Sequence, residues 1–584
     1  MTRIAIVEKE KCNPIKCGDL CIKLCPVNRT GKECIRKDEE GKAAIEEDLC
    51  TGCGICSNRC PFDAISIINL PEELNNNPIH QYGMNGFHLY NLPVPLFGKV
   101  VGLLGRNGIG KSTAVKILSG ILKPNLGEDG KEATPKELID FFKGTEAQLF
   151  FEKLSSDKIT VSYKPQQVEM IPRFQEGSIR ELLKKIDEKD GFDRIVDILE
   201  LSHILDTDIK DVSGGELQRV AIAAAALKDA NVYFFDEPTS YLDIKQRIKV
   251  SRFIRELATE DVAVMVVEHD LVILDYMTDN IHIMYGKPGC YGIVSQPKAT
   301  KSGINTYLSG FLREENIRFR DKPLTFEEKI PTDILKKEKA ISWGDLKKQL
   351  GDFSLSVSSG ELKKNEVSGI LGPNGIGKTS FVKLLAGVTK PDTGEMDESV
   401  TVSYKPQYLS SESEELVQNL LSDALEKYEA LIIRPLEIKP LLQKQVNQLS
   451  GGELQKVSIA LALSRDANLY LLDEPSAYLD VEQRLVASRV IRDFMEQKGK
   501  SCLVVDHDLL FIDYISDSLV IFDGEPAKEG ISSGPYTMGD GMNRFLTGLN
   551  TTLRRDPENH RPRVNKPGSQ MDQKQKREGK LYYS

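Results

Sequence analysis

At roughly 150 residues per domain, a chain of 584 residues has room for three or four domains. Hydrophobic residues at 40% and charged residues at 28% give the balance of an ordinary globular protein, and no run approaches the ~18 apolar residues of a membrane span. The net charge of −10 argues against a uniformly basic nucleic-acid binder, and the apolar run after Met1 is too short for a secretory signal, so a soluble, cytoplasmic protein is expected.

Residues 1–75 form the first expected domain. Nine of the eleven cysteines lie between residues 12 and 60. On a long chain without a signal, such a cluster points to metal or cluster ligation rather than disulfides. Cys50, Cys53, Cys56 and Cys60-Pro61 spell C-x₂-C-x₂-C-x₃-C-P, the bacterial ferredoxin run for a [4Fe–4S] cluster. A looser run of Cys12, Cys17, Cys21 and Cys25-Pro26 precedes it. In such pairs the fourth ligands cross. Cys25 then joins Cys50, Cys53 and Cys56, while Cys60 joins Cys12, Cys17 and Cys21. Paired zinc sites are the competing reading, since C-x₂-C is also a zinc spacing. The tight spacing and the Cys-Pro endings favour iron–sulfur. Cys34 is left over as a non-ligand, and Cys502, leading an apolar strand, reads as core.

Residues 76–297 form the second unit. The apolar run Val100, Val101, Leu103, Leu104 leads into Gly105-Arg106-Asn107-Gly108-Ile109-Gly110-Lys111-Ser112-Thr113, and a helical pattern follows. Strand, glycine-rich loop and helix are the setting in which G-x-x-x-x-G-K-[ST] cradles phosphates. The backbone N–H groups and the helix N-terminus face the anion, Lys111 reaches the outer phosphates, and Ser112 can ligate Mg²⁺. The loop recurs in the unit 326–540 as Gly372-Pro373-Asn374-Gly375-Ile376-Gly377-Lys378-Thr379-Ser380.

The rest of the second half replays the first. Val-Ser-Tyr-Lys-Pro-Gln ends at Gln166 and again at Gln407. Ser213-Gly214-Gly215 and Ser450-Gly451-Gly452 open Ser-Gly-Gly-Glu-Leu-Gln, which also fits a helical capping box. Apolar strands close in Asp236-Glu237 and Asp473-Glu474, Tyr-Leu-Asp follows at 241–243 and 478–480, and His269 and His507 come last. Lys111 and Gln166 are 55 positions apart, but Lys378 and Gln407 only 29. The surplus, at about 128–158, reads as two helices, the first capped by Thr134 with Pro135 behind it, the second capped by Thr145. With Phe150 and Phe151, it is expected to present a partner-docking surface.

The repeated set, in this order, resembles the nucleotide-binding domains of ABC-type ATPases. That resemblance implies ATP/ADP and Mg²⁺ as ligands and a head-to-tail arrangement of the two domains. The Lys111 site would be closed by Ser450, Gly451 and Gly452, and the Lys378 site by Ser213, Gly214 and Gly215. It implies Mg²⁺ held by Ser112, Gln166 and Asp236, and by Thr379, Gln407 and Asp473. Glu237 and Glu474 would polarise water, and His269 and His507 would touch the γ-phosphate. Adenine would stack on Tyr82 or Phe87 in the first site and on Trp343 or Phe353 in the second.

Residues 298–325 read as a hinge with Arg313, Arg318 and Arg320. Residues 541–584 read as a second basic hinge or tail, with nine Lys/Arg against four Asp/Glu over 554–580, suited to phosphate contacts. The whole combination resembles the ribosome-recycling ATPases of the ABC E subfamily, the RNase L inhibitor family. The expected fold is α/β, with tandem ABC-type P-loop domains behind a ferredoxin-like α+β domain carrying two [4Fe–4S] clusters. The resemblance implies ATP-driven splitting of ribosomes by a monomer that contacts no membrane. The implied partners are the small ribosomal subunit, a release factor or Pelota-type factor, and initiation factors. An ATPase subunit of a membrane transporter and an ATP-gated electron carrier are the alternatives. Motif spacing alone reaches a twin-site ATPase with two clusters.

Overall fold

The structure, a computed structural model, describes residues 3–69, 77–128, 130–326, 338–395, 400–407 and 413–583. The expected boundary at 75/76 and residues 327–337, just inside the expected second repeat, lie outside them. In the N-terminal unit, Arg3–Val7 pairs antiparallel with Ile65–Asn69, and Ile35–Lys37 with Ala43–Ile45. Short helices at Pro14–Cys17, Leu20–Leu24, Pro26–Arg29 and Ile55–Arg59 carry or flank the cysteines. Its apolar core is small, built on Ala5, Val7, Ile35, Ile45 and Ile65.

Each repeat folds around one large sheet, and the two sheets have the same strand order. In the first, the central parallel strands are Asn280–Lys287, Val100–Gly105, Ala263–Val267, Val232–Asp236 and Val161–Lys164. Their counterparts are Ser518–Glu525, Val367–Leu371, Ser501–Val505, Leu469–Asp473 and Val402–Lys405. Val100–Gly105, Ala263–Val267 and Val232–Asp236 are buried along their whole length, as strands covered on both faces by helices must be. That explains their unbroken apolar runs. Register does the rest. Val267 lies opposite both Leu103 and Asp236, so the phosphate loop, the Asp-Glu pair and His269 leave the sheet at one edge. Carboxyl ends of parallel strands are where α/β sheets place their ligands.

The expected hinges are more ordered than their composition suggests. Lys298–Ala299 pairs with the strand Asn280–Lys287, and the helix Thr300–Ser309 packs on that strand. Arg320 donates to Tyr307 O at 2.6 Å and, through Nε, to Glu482 of the second repeat at 2.8 Å. In the C-terminal segment, Leu553–Arg555 and Pro562–Val564 form a hairpin against the helix Leu271–Met277. Arg561 is wholly buried and donates to Asp275, which also takes two bonds from Arg563. Tyr582 and Tyr583 both donate to Asp513 of the second repeat. The reading of this segment as a basic tail is narrowed, since Lys566, Lys574, Arg577 and Lys580 stay exposed but two of its arginines do not. Arg561 and Arg563 are spent on a buried internal carboxylate, and the segment ties the two repeats together at their base.

Breaking a buried, hydrogen-bonded ion pair from one side costs about 3–5 kcal/mol, because the remaining charge is left uncompensated. Asp275→Ala should therefore release the hairpin. Hydrogen exchange at the amides of Leu553–Arg555 is expected to accelerate by two orders of magnitude or more, at about 1.4 kcal/mol per tenfold. Wild-type protection would show the hairpin is held by other contacts.

Candidate active site

One continuous cavity of about 1990 Å³ lies between the two repeats and is lined by both phosphate loops, both Ser-Gly-Gly segments and both histidines. Direct hydrogen bonds close it. Asn107 N donates to Asp480 Oδ2 at 3.0 Å and its side chain to Tyr478 O at 3.2 Å. The mirror contacts, Asn374 N to Asp243 Oδ2 at 3.0 Å and Asn374 Nδ2 to Tyr241 O at 3.3 Å, complete the pair. Each phosphate loop is thus fastened to the other repeat's Tyr-Leu-Asp. Nothing local to that tripeptide gives it this role; its repetition at 241–243 and 478–480 is the signal the sequence carries.

In each loop a glycine with positive φ precedes the helix, Gly110 at 94° and Gly377 at 92°. A Cβ there would strike the ring of Phe87 at 2.7 Å or of Phe353 at 3.0 Å. Gly105 and Gly372 sit outside the cavity. They let the loop cross a neighbouring strand, since a Cβ would lie 2.7 Å from Met284 O or 2.6 Å from Phe522 O. Lys111 Nζ donates to the carbonyls of Gly105 and Arg106, and Lys378 Nζ to those of Gly372 and Pro373. Burial pushes both ammonium groups down, Lys378 to about 8, against the pull of nearby carboxylates. A buried cation held by carbonyls alone suits an arriving phosphate.

Ser213 and Ser450 cap the helices Gly214–Leu227 and Gly451–Ser464 with full capping boxes, so the bland reading and the phosphate-facing one are satisfied by the same residues. Thr379 Oγ1 donates to Asp473 Oδ2 at 2.9 Å, and a hydroxyl–carboxylate pair of this kind fits Mg²⁺. Asp236 is buried with Oδ1 lacking a hydrogen-bond partner, as do both ring nitrogens of His269 and of His507. Both histidines line the cavity, and ring nitrogens without a hydrogen bond there fit a phosphate ligand. Gln166 Nε2 donates to Glu237 Oε1 at 2.8 Å, and Gln407 Nε2 to Glu474 Oε1 at 2.7 Å.

The two glutamates differ in their surroundings. Burial raises both. At Glu237 the nearby His269 and Lys111 outweigh it and hold the carboxyl down at about 2. At Glu474 the carboxylates of Asp506 and Asp473 add to burial and push it up to about 7. Where the second repeat has Asp506, the first has Glu268; each accepts from a hydroxyl two positions beyond its Asp-Glu pair, that of Ser476 or Thr239, and Asp506 leaves its charge bearing on Glu474.

Of the aromatic candidates, Tyr82, Phe87 and Phe353 line the cavity. Trp343 does not. It is buried, its indole N–H donating to Ser358 O at 2.9 Å and its ring edge-on to Phe381, so its assignment is corrected to core.

The cysteines are all free, and Cys25, Cys50, Cys53 and Cys56 line one small cavity. Cys34, passed over as a non-ligand, lines it too. Burial, with Cys17 and Cys12 close enough to contribute, raises Cys21 to about 11. Cys60 ends the helix Ile55–Arg59, which packs on the Cys21 helix Leu20–Leu24, and its Sγ accepts the Ala64 N–H at 3.4 Å. Clustered free thiols on these helix ends fit two thiolate-bound clusters.

The insert forms helices Pro135–Phe141 and Glu146–Ser155. The Thr134 capping box with Glu137 is present. Thr145 makes no side-chain cap, because its hydroxyl donates backwards to Phe142 O. Phe150 and Phe151 are buried in the first repeat's core with Phe142, which corrects their reading as surface; Phe141 and Leu149 face outward.

The ABC transporter family model matches residues 96–240 and 355–477. A model described as a possible Fer4-like domain in RNase L inhibitor matches 2–33, and a 4Fe-4S binding domain model matches 43–66. The chain is 54% identical to an uncharacterised ABC transporter ATP-binding protein of Methanocaldococcus jannaschii, over 100% of this chain and 97% of that one. A model of ribosome-bound archaeal Pelota and ABCE1 superposes with a TM-score of 0.93 at 52% identity, covering 100% of this chain and 99% of the other. The archaeal ribosome recycling factor aABCE1, crystallised with the ribosomal stalk protein aP1, gives 0.83 at 52% identity over 87% of this chain and 99% of its own.

Proposed function

Because the chain belongs to the RNase L inhibitor (ABC E) family of twin-cassette iron–sulfur ATPases, we propose that it recycles ribosomes, splitting them into subunits with ATP in the cytoplasm after termination or rescue. The carrying observation is the closed pair of sites, Asn107 on Asp480 and Asn374 on Asp243, which turns two nucleotides into one clamp. No described helix is long and apolar enough to cross a membrane, and the thiol-lined cavity sits on a domain that the transporter-subunit reading does not explain.

In this reading Lys111 and Lys378 hold the outer phosphates, and Ser112 with Asp236 and Thr379 with Asp473 hold Mg²⁺. Bound Mg²⁺ neutralises phosphate charge as transfer proceeds. Glu237 and Glu474 orient the attacking water, with Gln166 and Gln407 fixing their carboxylates and His269 and His507 meeting the γ-phosphate. Ser213 and Ser450 close the opposite site. The partners are the small ribosomal subunit and a release or Pelota-type factor. Co-sedimentation with small subunits on a gradient, dependent on ATP, tests the proposal; ATP-independent failure to bind ribosomes or subunits would remove it.

One expectation follows from the site and a second from the insert. A glutamate that must accept a proton works only when ionised, so a raised pKa shows as activity lost when pH falls through it. In Glu237→Gln, where Glu474 alone acts, turnover should fall to about a tenth of its plateau one unit below pH 7. In Glu474→Gln, where Glu237 acts, it should stay flat over that range. Coincident acid limbs in the two ATPase profiles would contradict the difference between Glu268 and Asp506.

The insert's outer face is the second. Deleting 128–158 would expose the core around Phe142 and Phe151, so point changes are the cleaner probe. Phe141→Asp with Leu149→Asp should keep basal ATP turnover within about twofold, because surface changes usually move stability by at most ~0.5 kcal/mol. Small-subunit affinity should drop at least about tenfold, the scale of one interface anchor. Unchanged affinity in the gradient assay would leave the insert a packing element.

A further inference from the structure

Glu237 and Glu474 both hold a backbone conformation that side chains rarely adopt, with φ of 46° and 47°. Left-handed backbone at a non-glycine residue costs about 1–2 kcal/mol, and it persists only where the surroundings enforce it. The groups that enforce it are the same in both repeats. Lys164 ends the strand Val161–Lys164, is 1% exposed, and donates from Nζ to Asp236 O at 2.9 Å and Glu237 O at 3.2 Å. Lys405, equally buried, donates to Asp473 O at 2.7 Å. From the Ser-Gly-Gly helices, Gln218 Nε2 donates to Glu237 O at 2.6 Å and Gln455 Nε2 to Glu474 O at 2.7 Å.

Two positions after each lysine stands Gln166 or Gln407, whose amide donates to the carboxylate of the same glutamate. One short segment therefore grips the glutamate at both ends, its peptide through the lysine and its carboxylate through the glutamine. A buried ammonium whose bonds run only to carbonyls is a costly way to fill a core, and an apolar side chain would serve packing as well. That the cost is met twice, at equivalent places, marks a function beyond packing.

We propose that Lys164 and Lys405 are positioning residues for ATP hydrolysis, each setting the peptide of its site's Asp-Glu pair so that movement of the Gln166 or Gln407 segment moves the carboxylate toward or away from the attacking water. The proposal rests on the reading of Glu237 and Glu474 as the water-orienting groups. Gln218 and Gln455 extend the same linkage to the Ser-Gly-Gly helices, which close the opposite site. Each glutamate thereby senses both its own nucleotide and its neighbour's.

The test isolates one site at a time in the full-length, iron-loaded protein. Lys164→Met is placed in the Glu474→Gln background and Lys405→Met in the Glu237→Gln background, with ATP and a fluorescent ATP analogue plus Mg²⁺ as probes. Hydrogen bonds to charged donors are worth about 1.5–3 kcal/mol. The expected result is a fall in kcat of about tenfold to hundredfold against each background, with nucleotide affinity held within about threefold. Gln218→Met in the Glu474→Gln background removes the second donor from a different helix, and should reproduce the kcat loss if Lys164→Met disturbs folding. A kcat within twofold of background for both Lys164→Met and Gln218→Met would overturn the proposal. So would parallel loss of binding and turnover in both, which is the mark of a purely structural role. Wild-type turnover in the Glu→Gln backgrounds themselves would instead bring down the reading of the glutamates on which it stands.

Discussion

Glu237→Gln combined with Glu474→Gln is expected to cut steady-state ATP turnover by at least about a hundredfold to a thousandfold, the scale of losing one preorganised catalytic group. Glutamine preserves the shape and the bond from Gln166 or Gln407, but it cannot take a proton from water. Nucleotide binding should survive, because the ammonium groups of Lys111 and Lys378, the loop N–H groups and the opposite Ser-Gly-Gly segments are untouched. The contacts that close the cleft, Asn107 on Asp480 and Asn374 on Asp243, do not involve either glutamate and should persist. The double variant should therefore split ribosomes once per molecule with ATP and then stay on the small subunit, unable to reopen. Single-turnover light scattering followed by gradient sedimentation separates these outcomes. Repeated rounds of splitting by the double variant would place the driving step in hydrolysis and sink this order of events.

The phosphate loops, the Asp-Glu pairs and the cysteine runs could be read from the sequence because each is a local spelling whose chemistry depends on spacing of a few residues. Groups that act across the chain could not. Asp243 and Asp480 sit in a repeated tripeptide, but only the closed arrangement shows that they cap the other repeat's loop. Lys164 and Lys405 were visible within Val-Ser-Tyr-Lys-Pro-Gln, yet a lysine near a strand end ordinarily snorkels to solvent, and nothing local says that these turn inward. Composition also could not sort the basic residues of the C-terminus into exposed and buried ones. Nine basic residues over 554–580 suggested a phosphate-binding tail, while the structure pairs Arg561 and Arg563 with Asp275, nearly 300 positions earlier, a contact no window can reveal. Trp343 and Phe353 were equal candidates by position; the strand pairing of Lys339–Trp343 with Gly360–Lys363 turns one into the core and leaves the other at the cleft.

Asn85→Ala is expected to uncouple the nucleotide clamp from the cysteine-rich domain. Asn85 stands between Tyr82 and Phe87 in the loop that lines the first ATP site, where Tyr82 OH lies 3.3 Å from Thr113 Oγ1 and Phe87 packs over Gly110. Its own side chain faces the other way. It accepts the Ile45 N–H at 2.7 Å and donates to Ile45 O at 2.9 Å, while Asn85 O accepts Val7 N–H at 3.0 Å. The residue is 1% exposed with φ of 60°, a conformation asparagine tolerates better than most. One loop thus lines the cavity between the repeats on one side and clamps a strand of the small domain on the other. Alanine would leave the buried N–H and C=O of Ile45 unpaired, at a cost of about 1–3 kcal/mol each, loosening the seat while sparing the cysteines and both phosphate loops. Iron content and ATP turnover should stay within about twofold of wild type, while ATP-dependent splitting slows at least about tenfold, the equivalent of 1.4 kcal/mol lost in coupling. Cys56→Ser makes the control, because it should lower iron content and splitting together while nucleotide binding persists, as a small domain stapled by bound metal loses its rigidity with it. Splitting at the wild-type rate by Asn85→Ala, with Cys56→Ser impaired, would mean that the small domain is needed but takes its motion from some contact other than this loop.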